Sequence, residues 1–137
     1  MTSIKTFIVC CFTVLFLFAT NVGADNETIT KYRQAHLAAL GGHTSAVFEM
    51  FGDTGLPDTH LATHAKSLVR LVNLLDADLK TLFPAGSGEG KTDALPKIWE
   101  DWEAFSAASA KAKQAADQVA AALDGEDKKA FGAAMKE

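Results

Sequence analysis

The chain has 137 residues, of which 48% are apolar, and a formal net charge of −4 at neutral pH. A mildly acidic chain without clusters of lysine and arginine lacks the basic surface that nucleic acid requires, so nucleic acid is excluded as a partner. The two cysteines, Cys10 and Cys11, both lie near the amino terminus.

Residues 1–24 have the layout of a signal peptide. Lys5 supplies the positive start, residues 7–19 are almost entirely apolar, and small residues at 22–24 provide a cleavage site. The apolar run is too short to span a bilayer comfortably, which disfavours a retained anchor. We therefore predict export to the periplasm and one mature domain, residues 25–137, that has no disulfide, no thiolate metal site and no membrane association after cleavage.

Residues 26–51 predict a first helix, in which a Gly41-Gly42 pair favours a kink or a close helix contact. Arg33 is expected on the polar, solvated face of this helix. The predicted apolar face comprises Leu37, Leu40, Val47, Phe48 and Phe51.

A second helix is predicted from Asp58 onward, because apolar residues alternate there at steps of four and three. This stripe comprises Leu61, Ala65, Leu68, Val72, Leu75, Leu79 and Leu82. Residues 84–92 are rich in glycine and predict a loop. The Lys91-Thr92 pair suggests a phosphate-binding loop, but the glycine spacing is one residue short and no strand precedes it, so we reject that interpretation.

A third helix is predicted over residues 94–123, with Trp99 and bulky neighbours at its start and mostly alanine afterwards. Its stripe comprises Ile98, Trp102, Phe105, Ser109, Ala112, Ala116, Val119 and Leu123. This gradient predicts close packing at the alanine end and a wide gap at the aromatic end, which side chains or a flat ligand must fill. A last segment, residues 126–137, is predicted to direct inward Ala130, Phe131, Ala134 and Met135. The pattern predicts an all-α, up-down four-helix bundle.

Four segments of the mature chain resemble the cytochrome c-prime family. They are KYRQAHL at 31–37, LFPAGSGEG at 82–90, LPKIWEDWEAF at 95–105 and KKAFGAAMKE at 128–137. The resemblance implies a four-helix bundle that carries haem c. The family attaches haem through Cys-x-x-Cys-His on the fourth helix, where the cysteines form thioethers and the histidine ligates iron.

That pentapeptide does not occur in this sequence. The fourth predicted helix is also short, at about 18 Å against about 45 Å for the third, and it leaves the aromatic end uncovered. We therefore expect a truncated chain rather than a haem-free relative, with the pentapeptide encoded within about ten codons beyond Glu137.

The resemblance implies roles for five residues around the haem. Leu37 would lie over the open side of the iron, and Arg33 and Gln34 would lie near the propionates. Phe83 and Phe105 would form walls of the pocket. Periodicity alone instead predicts core packing for Leu37, Phe83 and Phe105, and solvent exposure for the two polar residues.

Three functional classes remain open. The resemblance implies a periplasmic haem protein, not an enzyme, that transfers electrons to an unidentified redox partner or binds nitric oxide or carbon monoxide, with a possible homodimer. The second class is a haem-free module that binds a partner or an apolar ligand in the aromatic groove. In the third class, His60 and His64 bind a metal weakly from one helix face, but two ligands do not close a site and we assign no metal ligand. His43 shows no partner in the sequence.

Overall fold

A computed structural model describes residues 25–50 and 55–136, and within these ranges the regular structure is helical, without strands. The helices are α1 (Asn26–Glu49), α2 (Asp58–Ala77), α3 (Leu79–Leu82), α4 (Lys97–Glu100), α5 (Trp102–Asp124) and α6 (Lys128–Ala134). Helix α1 packs on α2, α2 on α5, and α5 on α6. The predicted four-helix bundle is confirmed, whereas the predicted signal peptide and Phe51 lie outside the described residues.

Two predicted helices are each interrupted once. The second breaks at Asp78, between α2 and α3, and the third breaks at Asp101, between α4 and α5. Asp101 leaves helical geometry with φ −134° and ψ 65°, and its carboxylate accepts a hydrogen bond from the backbone N–H of Ala104 at the start of α5. The prediction of continuous helices was wrong at these points, because apolar periodicity survives a one-residue break while the local capping interaction determines where a helix restarts.

Helix α1 is continuous through its glycine pair. A Cβ atom placed on Gly41 or Gly42 would meet nothing within 4 Å, so the predicted close helix contact at the pair is not found. Asp25 caps the helix, because its side-chain Oδ1 accepts a hydrogen bond of 2.7 Å from the backbone N–H of Thr28. This hydrogen bond is the main reason that the pKa of Asp25 is lowered.

The buried face of α1 is partly polar, contrary to the sequence prediction. Arg33 is only 1% exposed and His36 is also buried, whereas Leu37 and Phe48 are 42% and 50% exposed. Among the predicted apolar positions, Val47 is fully buried. Apolar periodicity failed to indicate this face because the loop before α4 provides hydrogen-bond acceptors for Arg33 and α2 provides one for His36. A polar side chain can be buried once it is hydrogen-bonded.

One cluster of buried side chains, which we call the alanine end, closes the bundle where α6 packs. It comprises Val47, Ala65, Val119, Ala122, Phe131 and Ala134. Phe131 fills the space between helices that otherwise contribute small side chains, as the sequence gradient predicts. Ala112 and Ala130 were predicted to point inward, but both are exposed.

A second cluster, the aromatic end, has Leu79, Leu82 and Phe83 at its centre. Partly buried side chains packed around it are Leu75, Ile98, Trp99, Trp102 and Phe105. The rings of Phe83 and Phe105 are edge to face, with centroids 4.8 Å apart, an arrangement that aromatic pairs favour. No helix in the described part of the chain has the length and apolar character needed to cross a membrane.

Candidate ligand cavity at the aromatic end

An open cavity of about 560 Å³ lies beside the aromatic end. Its lining comprises Arg33, Gln34, Leu37, Leu75, Phe83, Thr92, Asp93, Ala94, Ile98 and Phe105. The five residues proposed from the sequence are all among them. The volume is within the range typical of small-molecule and cofactor sites, which are mostly apolar with a few polar groups.

Helices α1, α2, α4 and α5 and the loop between α3 and α4 contribute to these walls. Helix α1 supplies Arg33 and Leu37, which are four residues apart and therefore lie on the same side of the helix. Phe83 follows α3, Ile98 lies on α4 and Phe105 lies in the first turn of α5. Residues far apart in sequence thus meet because the break between α4 and α5 and the loop before α4 bring their side chains to one end of the bundle.

Arg33 ties α1 to the loop that forms one wall. Its Nη1 donates to the carbonyl of Leu82 at 3.0 Å and to Ser87 Oγ at 2.9 Å. Its Nη2 donates to the carbonyl of Ser87 at 2.8 Å and to Thr92 Oγ1 at 3.0 Å. The guanidinium carbon also lies 4.6 Å from the centre of the Phe83 ring. These contacts fix the position of Phe83, an apolar wall of the cavity.

The four acceptors that Arg33 binds are carbonyl and hydroxyl oxygens, and all four are neutral. Burial lowers the pKa of its guanidinium, but an arginine remains charged inside proteins. A guanidinium has four terminal N–H donors, and here each has a protein acceptor. The expectation that Arg33 faces solvent was therefore wrong, and its terminal donors bind the loop in this structure.

Gln34 makes a weaker connection to the same loop. Its Nε2 donates to the carbonyl of Lys91 at 3.0 Å, while the residue itself remains exposed. Since an exposed hydrogen bond competes with water, Gln34 contributes less to the rigidity of the wall than Arg33 does.

Trp99 holds the same loop from α4. Its Nε1 donates to the carbonyls of Phe83 and Pro84, at 3.1 and 3.0 Å. Its ring packs so closely on Gly88 that a Cβ there would lie 2.4 Å from Cζ3 of the indole. The sequence indicated a glycine-rich loop and a tryptophan near it, but the need for glycine at this position depends on a contact that periodicity does not show.

The cavity suits the macrocycle of a haem, whereas its described lining lacks the usual ligands of the iron. Its apolar side chains suit a flat macrocycle, and its volume is adequate for one. The described lining residues include neither a histidine, the usual iron ligand of c-type haem proteins, nor a cysteine that could form a thioether to the haem. His36 is buried close by on α1, but its Nε2 lies 3.0 Å from the carbonyl of Leu71. Within residues 25–50 and 55–136, no group of three or more His, Cys, Asp or Glu is arranged to hold a metal ion.

The histidines are arranged differently from the sequence hypothesis. Nδ1 of His64 lies 2.9 Å from Nδ1 of His43 on α1, whereas His60 is exposed. The sequence missed His43 because the two paired residues are 21 positions apart and on different helices. Only the way α1 packs on α2 brings them together.

Comparison with known proteins agrees with this architecture. The chain matches the sequence model of the family described as Cytochrome C' over residues 28–137. It is 35% identical to the cytochrome c' of Rhodospirillum rubrum over 115 residues, which cover 82% of this chain and 75% of that protein. No solved structure gives a significant match. These matches support a haem-protein function in general, and they show that the chain belongs to the cytochrome c' family.

Proposed function

We propose that this protein binds haem c in the cavity at the aromatic end and serves in periplasmic electron transfer, in binding a small gas such as nitric oxide or carbon monoxide, or in both. The supporting observation is that Arg33, Gln34, Leu37, Phe83 and Phe105 line one cavity of about 560 Å³ in a member of this family. A bound haem would supply the iron for redox change or gas binding. The proposal includes no enzymatic reaction.

The apolar residues of the cavity would exclude water from the ligand. Leu37 and Leu75 approach from α1 and α2, while Phe83, Ile98 and Phe105 approach from the other side. Burying apolar side chains against a flat ligand is worth roughly 25 cal/mol per Å² of apolar surface removed from water. Leu37 is 42% exposed, so a ligand in the cavity would cover apolar surface that now faces solvent.

The polar residues occupy the margin of the same cavity. Thr92 and Asp93 belong to the loop, and Gln34 is exposed beside it. A carboxylate of the ligand is stable where it can keep its water, since burial of an unpaired charge costs several kcal/mol or more. We therefore assign the carboxylates of the ligand to this margin. Arg33 would act indirectly, by holding the loop in place.

Haem binding tests the proposal. The mature chain, residues 25–137, is titrated with haem, and binding is followed by the haem absorbance band. We expect haem to bind without a covalent bond, because these residues contain no cysteine for a thioether. Absence of haem binding would contradict the proposal.

A cavity-filling variant tests the location. Leu37→Trp should weaken haem binding, because a larger side chain occupies the cavity. Leu95→Trp is the matched control, since Leu95 is 69% exposed and is not a lining residue. Equal haem binding by the two variants would place the haem elsewhere.

A haem-free binding module is the second candidate. This candidate is favoured by one observation: the described residues that line the cavity include no histidine or cysteine. In that case a hydrophobic dye should bind to the mature chain, Leu37→Trp should weaken the binding of the dye, and Leu95→Trp should leave it unchanged. A redox partner protein and a homodimer belong to the first proposal, and sedimentation measurements on the haem-loaded protein test the dimer.

A further inference from the structure

We propose that His43 and His64 form a binding site for a divalent transition metal, with Cu²⁺ preferred, that links α1 to α2 outside the cavity. Their Nδ1 atoms are 2.9 Å apart, their ring centres are 5.1 Å apart and their ring planes are inclined by 53°. Both residues are half-buried, and neither lines the haem-sized cavity. The site is therefore independent of the function proposed above.

The two nitrogens lie close enough to bind one metal ion. Their separation of 2.9 Å is that of a hydrogen bond between the rings, and two nitrogens on one ion, at bonds of about 2.0 Å, are separated by about 2.8 to 3.3 Å. The distance therefore fits a divalent ion in general. Cu²⁺ is preferred because it binds nitrogen ligands more strongly than the other divalent ions of its row.

Two lone pairs are available once the rings adopt the same tautomer. Without metal, one Nδ1 must carry a hydrogen and the other must accept it, since two bare nitrogens at 2.9 Å repel each other. Metal binding needs that hydrogen on Nε2 of its own ring, exchanged through solvent, so that both Nδ1 atoms coordinate. Two neutral imidazoles then coordinate the ion with no net release of protons and no change in oxidation state.

The two helices hold the histidines in place before metal binds. Towards the aromatic end, His36 Nε2 contacts the carbonyl of Leu71 at 3.0 Å. In the other direction along the helices, Val47 and Ala65 are fully buried. The contacts on both sides therefore keep the two rings within reach of one ion, which favours binding.

Water would complete the coordination. No third His, Cys, Asp or Glu in the described ranges joins this pair to make a three-ligand site. The site is therefore open and exchangeable, unlike the closed four-ligand sites that serve only structure. Because metal binds the folded chain through two helices, it should also raise the midpoint temperature of unfolding.

Copper titration of the tag-free mature protein tests the site. We expect Cu²⁺ binding by calorimetry and a paramagnetic resonance spectrum with hyperfine splitting from two nitrogens. His43→Asn and His64→Asn should each weaken binding by about tenfold or more, because loss of a ligand should cost at least as much as loss of its supporting partner. His60→Asn is the matched control, since His60 lies one turn from His64 and is exposed, and it should bind like the wild type.

The fold of each variant is checked by its helical circular dichroism and unfolding midpoint without metal. His43→Gln and His64→Gln serve in place of any asparagine variant that fails to fold. Unchanged copper affinity in the folded His43 and His64 variants would overturn the proposal, as would an equal loss in His60→Asn. A rise in the unfolding midpoint with Cu²⁺ that persists in the His43 and His64 variants would contradict the link between α1 and α2.

Discussion

The two ends of the bundle are built by different interactions. At the alanine end, small side chains pack around Phe131, and the open pockets beside this cluster, of about 520 and 580 Å³, are lined largely by alanine and charged residues. At the aromatic end, an open cavity of about 560 Å³ is lined mostly by larger apolar side chains. The two ends therefore differ in their walls and not in the presence of a cavity, and at the aromatic end hydrogen bonds fix where the walls stand.

Those hydrogen bonds come from two residues on different helices. Arg33 binds the loop from α1 and Trp99 binds it from α4, and between them they satisfy carbonyls of Leu82, Phe83, Pro84 and Ser87. A loop fixed by directional contacts cannot collapse into the cavity as a loosely packed chain would. The buried cluster at the alanine end, by contrast, consists of apolar side chains.

The largest effect is expected at the alanine end. Phe131→Ala should destabilise the fold by about 3–5 kcal/mol, because the residue is 4% exposed and its removal leaves a cavity among short side chains. Denaturant unfolding followed by circular dichroism measures the change. Ala130→Ser, at the exposed neighbouring position, is the control and should change stability by less than about 0.5 kcal/mol. Ala130→Gly would not serve, because glycine lowers helix propensity. Equal losses would mean that α6 does not pack as described.

A comparable loss is expected at the aromatic end from Arg33→Met, about 3 kcal/mol. The variant keeps a long side chain but leaves four acceptors without their donor. Gln34→Ala, the neighbouring control, removes one exposed hydrogen bond and should lose less than about 1 kcal/mol. Arg33→Lys should fall between them, since lysine retains the charge without the forked geometry. If Arg33→Met were as stable as Gln34→Ala, the loop would be held by other contacts.

A moderate effect is expected from the contact of Gly88 with Trp99. Gly88→Ala should cost about 1–3 kcal/mol, because the new methyl group would displace the indole that bonds to Phe83 and Pro84. Near-ultraviolet circular dichroism should report the displaced tryptophan. Gly42→Ala supplies the contrast: it has open space within a helix and should gain up to about 1 kcal/mol. Opposite signs for the two substitutions are the expected result, and a stabilising Gly88→Ala would contradict the packing.

The smallest effect concerns the cap of α1 at Asp25. A hydrogen bond from the Thr28 N–H lowers the pKa of this carboxyl below its ordinary value of 3.8. The carboxylate therefore stabilises the fold above pH 3.8, and this contribution is lost as pH falls through the lowered pKa. Asp25→Ala should have a slightly lower unfolding midpoint at pH 7, and the difference should shrink in acid. Asp25→Asn, which caps without titrating, should lack that pH dependence.

Sequence periodicity correctly predicted the parts of the molecule that depend on local apolar patterning. The four-helix architecture, the loop at 84–92 and the contrast between alanine and aromatic ends all follow from which residues are apolar and how they are spaced. Leu68, Leu79 and Leu82 are buried as the stripe of the second helix predicts. The family resemblance added the five lining residues, which periodicity alone assigns to core or to solvent.

Only the tertiary structure decided which polar residues are buried and which partners they meet. The acceptors of Arg33 lie 49–59 positions away, and His43 meets His64 across 21 positions. A hydrogen bond depends on distance and angle between atoms on different elements, and neither is encoded in the apolar period of one helix. For that reason the sequence indicated where helices would form and which end would carry the large aromatic side chains, while the packed chain determined that Arg33 holds a wall of the cavity.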